Sequence, residues 1–166
     1  QDIDVICFKE ANEKAKDLLM KGVTSLGFHF KGEDVSEENI ATLLDGIYPE
    51  LVELNFKTCN CKAEKLAHIL AAYFKAQGVD LGKCFGSINY DPFKKPLIKG
   101  KDNTSWVEAA SAMLKAGKAL PRYKVLAVNA SYFNDAGAYI TQELGYALAW
   151  GNELIARLIE AGFEAD

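Results

Sequence analysis

An α/β fold built on a parallel sheet is what this sequence predicts, and three observations predict it. Segments that alternate apolar and polar residues take turns with segments whose apolar residues recur every three or four positions. The helical stretches mostly run to ten residues or more, the length a right-handed crossover between parallel strands requires. Each strand segment carries one large apolar face and one small or polar face.

The elements follow in order. Phe8, Ala11, Ala15, Leu18 and Leu19 recur at helical spacing, and Gly22 stands where that helix should stop. Residues 23–30 read as a strand, with Leu26, Phe28 and Phe30 alternating with Ser25, Gly27 and His29. Ser36 opens a short helix that reaches Leu44. A second strand, 51–56, places Val52, Leu54 and Phe56 on one face. Asn60 is positioned to cap a long helix from Cys61 to Gln77, ended by Gly78. The third strand is 84–89, followed by a loop rich in Pro and Lys, 90–103. Thr104 or Ser105 starts a helix reaching Ala116, with Gly117 as its stop. Pro121 introduces a fourth strand, 124–130. A last long helix, 138–161, carries Ile140, Leu144, Leu148, Leu154, Ile155, Leu158 and Ile159. No linker, repeat or low-complexity tract interrupts this order, so residues 1–166 read as a single domain.

Two architectures compete for such a pattern. In an open doubly wound sheet both faces lie under helices, and strands become nearly continuous Val, Ile and Leu. Here the second face reads Ser25, Gly27, His29, then Glu53, Asn55, then Ser87, Asn89, then Ala127, Asn129. The asymmetry favours consecutive units of a (β/α)8 barrel, about half of one. The strands should then be parallel and adjacent in chain order. Ser25, His29, Asn55, Ser87, Asn89 and Asn129 are expected to face inward; Leu26, Phe28, Val52, Leu54, Leu126 and Val128 are expected under the helices. Four strands are too few to close a barrel of about 250 residues. The chain is therefore expected to be a partial TIM-barrel region of a longer chain, self-associating through edges at 23–30 and 124–130. A polar inner face fits a ligand-admitting interior. It equally fits a network whose members satisfy one another around a few waters.

Composition narrows the function classes. Of 166 residues, 49% are hydrophobic, enough for a sizeable core, and the formal net charge is -4. That balance argues against a nucleic-acid footprint, which needs a concentrated basic stripe. No apolar run reaches the ~20 residues that span a bilayer, and the first residues lack the basic-then-apolar order of a signal peptide. A cytoplasmic protein without nucleic-acid or membrane partners is expected. Cys59 and Cys61 form a C-x-C pair, but no second pair follows at zinc spacing, so reduced thiols and no metal are expected. Glycine-rich phosphate loops and the G-x-S-x-G elbow are absent, and with two histidines no Ser-His-Asp triad stands out.

The segment 121–151 carries a resemblance. The end of the fourth strand reads Ser131-Tyr132-Phe133-Asn134-Asp135-Ala136-Gly137-Ala138, and the helix after it reads Glu143-Leu144-Gly145-Tyr146-Ala147-Leu148-Ala149-Trp150-Gly151. Upstream, GSINYDP occupies 86–92 on the third strand. These motifs resemble those of the vitamin-B12-dependent acyl-CoA mutases, the methylmalonyl-CoA mutase family, and most of all the barrel domain of its small subunits. The resemblance follows most of the chain in element order and is specific over the last fifty residues. It implies a radical isomerisation, with adenosylcobalamin homolysis and interconversion of (R)-methylmalonyl-CoA and succinyl-CoA, and an acyl-CoA chain threading a barrel lined with small polar residues.

In that family's catalytic subunits a Tyr and a His after this strand, a Thr and a Gln on the third strand, and an Arg in the next loop hold the substrate. By ungapped count the Tyr and His fall on Ser131 and Tyr132, the Thr and Gln on Ser87 and Asn89, and the Arg on Lys99. Ser keeps the hydroxyl, and Asn shortens the reach by a methylene. Lys loses the planar fork that grips a carboxylate, and Tyr replaces the imidazole donor. The family's cobalamin motif, Asp-x-His-x-x-Gly, surrounds neither His29 nor His68; His68 reads as a structural residue in mid-helix. The resemblance thus implies a small, non-catalytic subunit in a heterodimer with a catalytic large subunit, binding no cobalamin of its own. Two other readings stay open: a competent subunit with altered acyl-CoA contacts through Ser87, Lys99 and Tyr132, and an unrelated doubly wound ligand-binding domain. The lysines of 94–101 either meet a CoA phosphate or form a solvated basic loop.

Overall fold

A computed structural model describes residues 1–32, 35–100 and 105–164, without the side chains of Lys95 and Lys99. These residues form two compact units, Gln1–Tyr90 with Met113–Val125, and Asp91–Ala112 with Leu126–Asp166.

The first unit holds one sheet of five parallel strands in strict chain order: β1 (Asp2–Val5), β2 (Ser25–Phe30), β3 (Glu53–Lys57), β4 (Gly86–Ile88) and β5 (Tyr123–Lys124). Sequential parallel strands with helical crossovers are the arrangement of (β/α)8 barrel units, and the doubly wound order, which reverses about a central strand, is absent from this sheet. Helices α1 (Phe8–Met20), α2 (Glu37–Leu44) and α3 (Asn60–Ala76) make the first three crossovers. Ser36 caps α2 as its sequence predicts, accepting from the Asn39 amide at 3.2 Å. Asn12 of α1 is buried, and its side-chain amide donates to the Leu43 and Asp45 carbonyls at 2.8 and 2.9 Å. It thereby satisfies the orphan carbonyls at the end of α2 and locks two neighbouring helices together.

Alternation along β2, β3 and β4 sorts side chains as the pattern predicts. Leu26, Phe28, Leu54, Phe56 and Ile88 are fully buried, and the Phe28 and Phe56 rings stack at 5.7 Å. Ser25, His29, Glu53, Asn55, Ser87 and Asn89 are half-buried on the other face.

Four differences from the sequence expectation are instructive. First, the sheet has a fifth strand: Asp2-Ile3-Asp4-Val5 pairs with β2, so β1 and not residues 23–30 forms that edge. Second, the expected strand 124–130 is only Tyr123–Lys124 and is shifted by one residue, so that Tyr123 and Val125 are buried while Leu126 and Val128 are half-buried and outside any strand. The ladder stops because β4 stops. Beyond Ser87, the Tyr90 amide turns back to the Ile88 carbonyl, and the pairing with β5 ends at Lys124. Third, Cys59 and not Asn60 is the N-cap of α3. Fourth, part of the Lys-rich loop is helical, α4 (Lys94–Lys99); Pro96 falls in its first turn, where proline is tolerated, and Gly100 ends it at φ 58°. The next helix, α5, spans Trp106–Gly117; of its two expected starts, Thr104 is outside the described residues and Ser105 precedes the helix.

Tyr123 presents a buried anomaly. Its ring meets Phe74 at 6.3 Å, and its hydroxyl has no hydrogen-bond partner among the described residues. Burial, aided by Cys84 and Glu53, pushes the phenol far above the ordinary value of 10.0. Tyr123→Phe is expected to leave stability unchanged or raise it by about 1 kcal/mol, because an unsatisfied buried donor disappears. The sign of the pH dependence follows from the raised folded value. Stability is intact below the ordinary tyrosine range and falls as pH climbs above it, since only the unfolded chain ionises. Urea denaturation across that range checks both statements. A destabilised Tyr123→Phe with an unchanged alkaline limb would show that the hydroxyl is bonded.

In the second unit, Phe93, Trp106, Phe133, Tyr146 and Trp150 form a run of ring contacts with centroids 4.1–5.4 Å apart. It joins α5 to two further helices, α6 (Ser131–Asp135) and α7 (Ile140–Glu160). Helix α7 buries Leu154 and Leu158 but leaves Ile140, Leu144, Leu148, Ile155 and Ile159 exposed.

Candidate functional site

The polar face of the sheet is the best-formed candidate in the first unit. Asp2, Gly27, Asn55, Ser87 and Lys124 lie side by side in register across all five strands. The Asp2 carboxylate occupies the space a Cβ on Gly27 would need, so glycine there lets the edge acid lean over the row. Ser87 Oγ donates to Asn55 Oδ1 at 2.7 Å, and Asn55 Nδ2 donates to Ser25 Oγ at 3.2 Å. This Ser–Asn–Ser chain crosses three strands. Toward β1, one imidazole nitrogen of His29 is 3.8 Å from Asp2 and the other 3.8 Å from Asp4, which also takes Lys31 at 3.1 Å.

The second unit has its own polar centre. Asp91 is 2% exposed. Its Oδ1 accepts from the Phe93 amide at 2.9 Å, and its Oδ2 accepts from both the backbone and side-chain nitrogens of Asn129 at 2.9 Å. A buried carboxylate needs such donors. Tyr132 stands half-buried, its phenol pushed up first by burial and then by Asp91. A phenol held neutral can donate one hydrogen bond, but it cannot act as an imidazolium.

The five expected substrate positions therefore divide between the units. Ser87 and Asn89 belong to the polar face, Asn89 one residue past β4 with its amide bonded to the Phe56 carbonyl at 2.8 Å. Ser131 opens α6 and is exposed, and Tyr132 follows it. Lys99 ends α4, and its side chain lies outside the described residues. His68 is exposed on α3, where it lines an open groove with Ser36, Cys61 and Glu64, so it is no core residue. No group of three metal-ligating side chains occurs among the described residues, and no described helix is long and apolar enough to cross a membrane.

Sequence reasoning missed Asp2, Lys124 and the role of Asp91. The Asp-Ile-Asp-Val alternation would have signalled the strand that carries Asp2. Asp91 was visible only as part of the GSINYDP motif, for its partner Asn129 is 38 residues away.

Residues 34–166 match the family model described as methylmalonyl-CoA mutase. The chain belongs to the methylmalonyl-CoA mutase family. Among curated relatives of this family, the methylmalonyl-CoA mutase small subunit of Porphyromonas gingivalis is 50% identical over 95% of this chain and 25% of its own length. The small subunit of Streptomyces virginiae is 30% identical over 91% of the chain and 24% of its own length. A methylmalonyl-CoA mutase of Rhizobium meliloti is 24% identical over 79% of the chain and 19% of its length. The chain thus spans about a quarter or less of the family members it matches.

Proposed function

We propose that this chain is the first part of the barrel domain of a methylmalonyl-CoA mutase small subunit, and that the subunit supports a catalytic large subunit in a heterodimer without turning over substrate. The assembly is an adenosylcobalamin-dependent isomerase interconverting (R)-methylmalonyl-CoA and succinyl-CoA. The observation that carries the non-catalytic reading is the commitment of the site's donors. The one hydroxyl hydrogen of Ser87 goes to Asn55, and Asn129 is spent on Asp91. The positions matching the family's imidazole and guanidinium hold Tyr132 and Lys99 instead. At the Ser87 position a thioester carbonyl would meet a hydroxyl whose hydrogen is already given to Asn55.

The residues present do not fit a cobalamin. His29 sits inside a β-strand between two carboxylates, and His68 lies on the open surface of α3; neither is an imidazole held on a loop where it could ligate the cofactor. The cofactor is therefore assigned to other parts of the assembly. The exposed apolar stripe of α7 supports a longer natural chain, whose further βα units would cover it.

Titration of the intact small subunit with a CoA thioester tests this reading, followed by calorimetry. No saturable binding, or binding weaker than about 1 mM, is expected from a site lacking its cationic fork. Micromolar binding reversed by Ser87→Ala would favour the competent subunit with altered contacts.

A further inference from the structure

Helix α3 begins at the C-terminal end of β3, the end at which barrels of this kind carry their functional loops. Cys59 is its N-cap, and Cys61 stands in its first turn. Both thiols are exposed, and their sulfur atoms are 2.9 Å apart, with Cys61 donating to Cys59. A disulfide needs about 2.05 Å, so closure asks the sulfurs to approach by less than about 1 Å. The other two cysteines lack this arrangement. Cys7 is exposed at the start of α1, while Cys84 is buried with its thiol pushed up by its surroundings and bonded to the Asp80 carbonyl.

We propose that Cys59 and Cys61 form a dithiol modification site that closes to an intramolecular disulfide by exchange with a small-molecule disulfide. The helix N-terminus favours negative charge on the N-cap sulfur, which also accepts the Cys61 hydrogen bond. Cys59 is thus the attacking thiolate. It displaces one thiolate from the small disulfide and becomes a mixed disulfide. Cys61 then loses its proton to solvent and attacks the Cys59 sulfur, expelling the second thiolate. The dithiol gives up two electrons, and one small disulfide becomes two thiols. Cys61 is the slower thiolate while reduced: its donation to Cys59 raises its pKa, as do partial burial and the neighbouring charge. Mixed-disulfide formation removes that donation and prepares it for the second step.

The test uses the intact protein in glutathione redox buffers, quenched with acid and alkylated before peptide mass spectrometry. The peptide containing Cys59 and Cys61 should lose the mass of two hydrogens and escape alkylation, at a rate independent of protein concentration. Cys84 should remain alkylated. In Cys61→Ser, glutathione should stay on Cys59 and persist at least about tenfold longer than in the parent, because the intramolecular step is gone. Cys7→Ser should change neither result. Separate glutathiones on both sulfurs, a disulfide joining two copies, or an unreactive pair beside a modified Cys7 would each overturn the proposal.

Discussion

Gly86→Ala is expected to destabilise the protein by about 3 kcal/mol, at the upper end for overpacking, while Gly145→Ala is neutral or stabilising by up to about 1 kcal/mol. The contrast comes from what surrounds each position. Gly86 pairs with Leu54 between central strands. A Cβ there would overlap the Leu54 carbonyl oxygen and stand 2.7 Å from its carbon and 3.1 Å from its nitrogen. Those atoms belong to the backbone of β3, which is held on both sides by ladders, so they cannot swing away. The methyl must force β4 outward and stretch the Leu54 amide from the Phe85 carbonyl, now at 3.1 Å. Nothing lies within 4 Å of a Cβ on Gly145, in the first half of α7. There alanine only adds helix propensity. For a domain of this length, about 3 kcal/mol lowers the melting temperature by about 10 °C. Equal melting points for the two variants would mean that β3 and β4 do not approach as described. The same contact explains why the motif at 86–92 opens on glycine.

Much of the fold was legible in the sequence because a half-polar parallel sheet writes itself as alternation. Leu26, Phe28, Leu54 and Phe56 stand where a period of two residues places them. Reading failed where tertiary context sets the outcome. Strand β1 is four residues long, and its alternate positions are Asp2 and Asp4, so it resembles a solvated terminus. The apolar run after Pro121 allows two registers, and β5 takes the one that buries Tyr123 and Val125. In that register the Val125 methyls lie 2.8 and 2.9 Å from the Cβ position of Gly117 and require glycine at the end of α5. Helix α4 was hidden by its Pro and Lys content, although proline in a first turn is compatible with helix.

The candidate site was half legible for the same reason. Alternation puts Ser25, Asn55 and Ser87 on one face, but only the register shows that Asn55 bridges the two serines. Nothing local announces that Asp91 collects three donors, two of them from Asn129. The resemblance of 121–151 and 86–92 pointed to the family, and the similarity to two small subunits, over 95% and 91% of the chain, agrees with it.

The second large effect concerns turnover. If the small subunit supports without catalysing, mutase activity should vanish when the large subunit is withheld, whatever the concentration of the small subunit. It should return when the two are combined with adenosylcobalamin. Within that assembly, Tyr132→Phe removes the phenol hydroxyl at the position where the proposed resemblance expects the family's imidazole. Ser87→Ala removes the hydroxyl where the proposed resemblance expects the family's threonine, at a stability cost near 1 kcal/mol from the lost bond to Asn55. Neither variant touches a group proposed to hold substrate. The decisive measurement is therefore kcat/KM for methylmalonyl-CoA in the reconstituted heterodimer carrying both substitutions in its small subunit, at concentrations where subunit assembly is complete. The account predicts a value within about twofold of the parent, less than about 0.5 kcal/mol of transition-state stabilisation. A loss of about a hundredfold or more, with assembly intact, would place these residues on the substrate and contradict it.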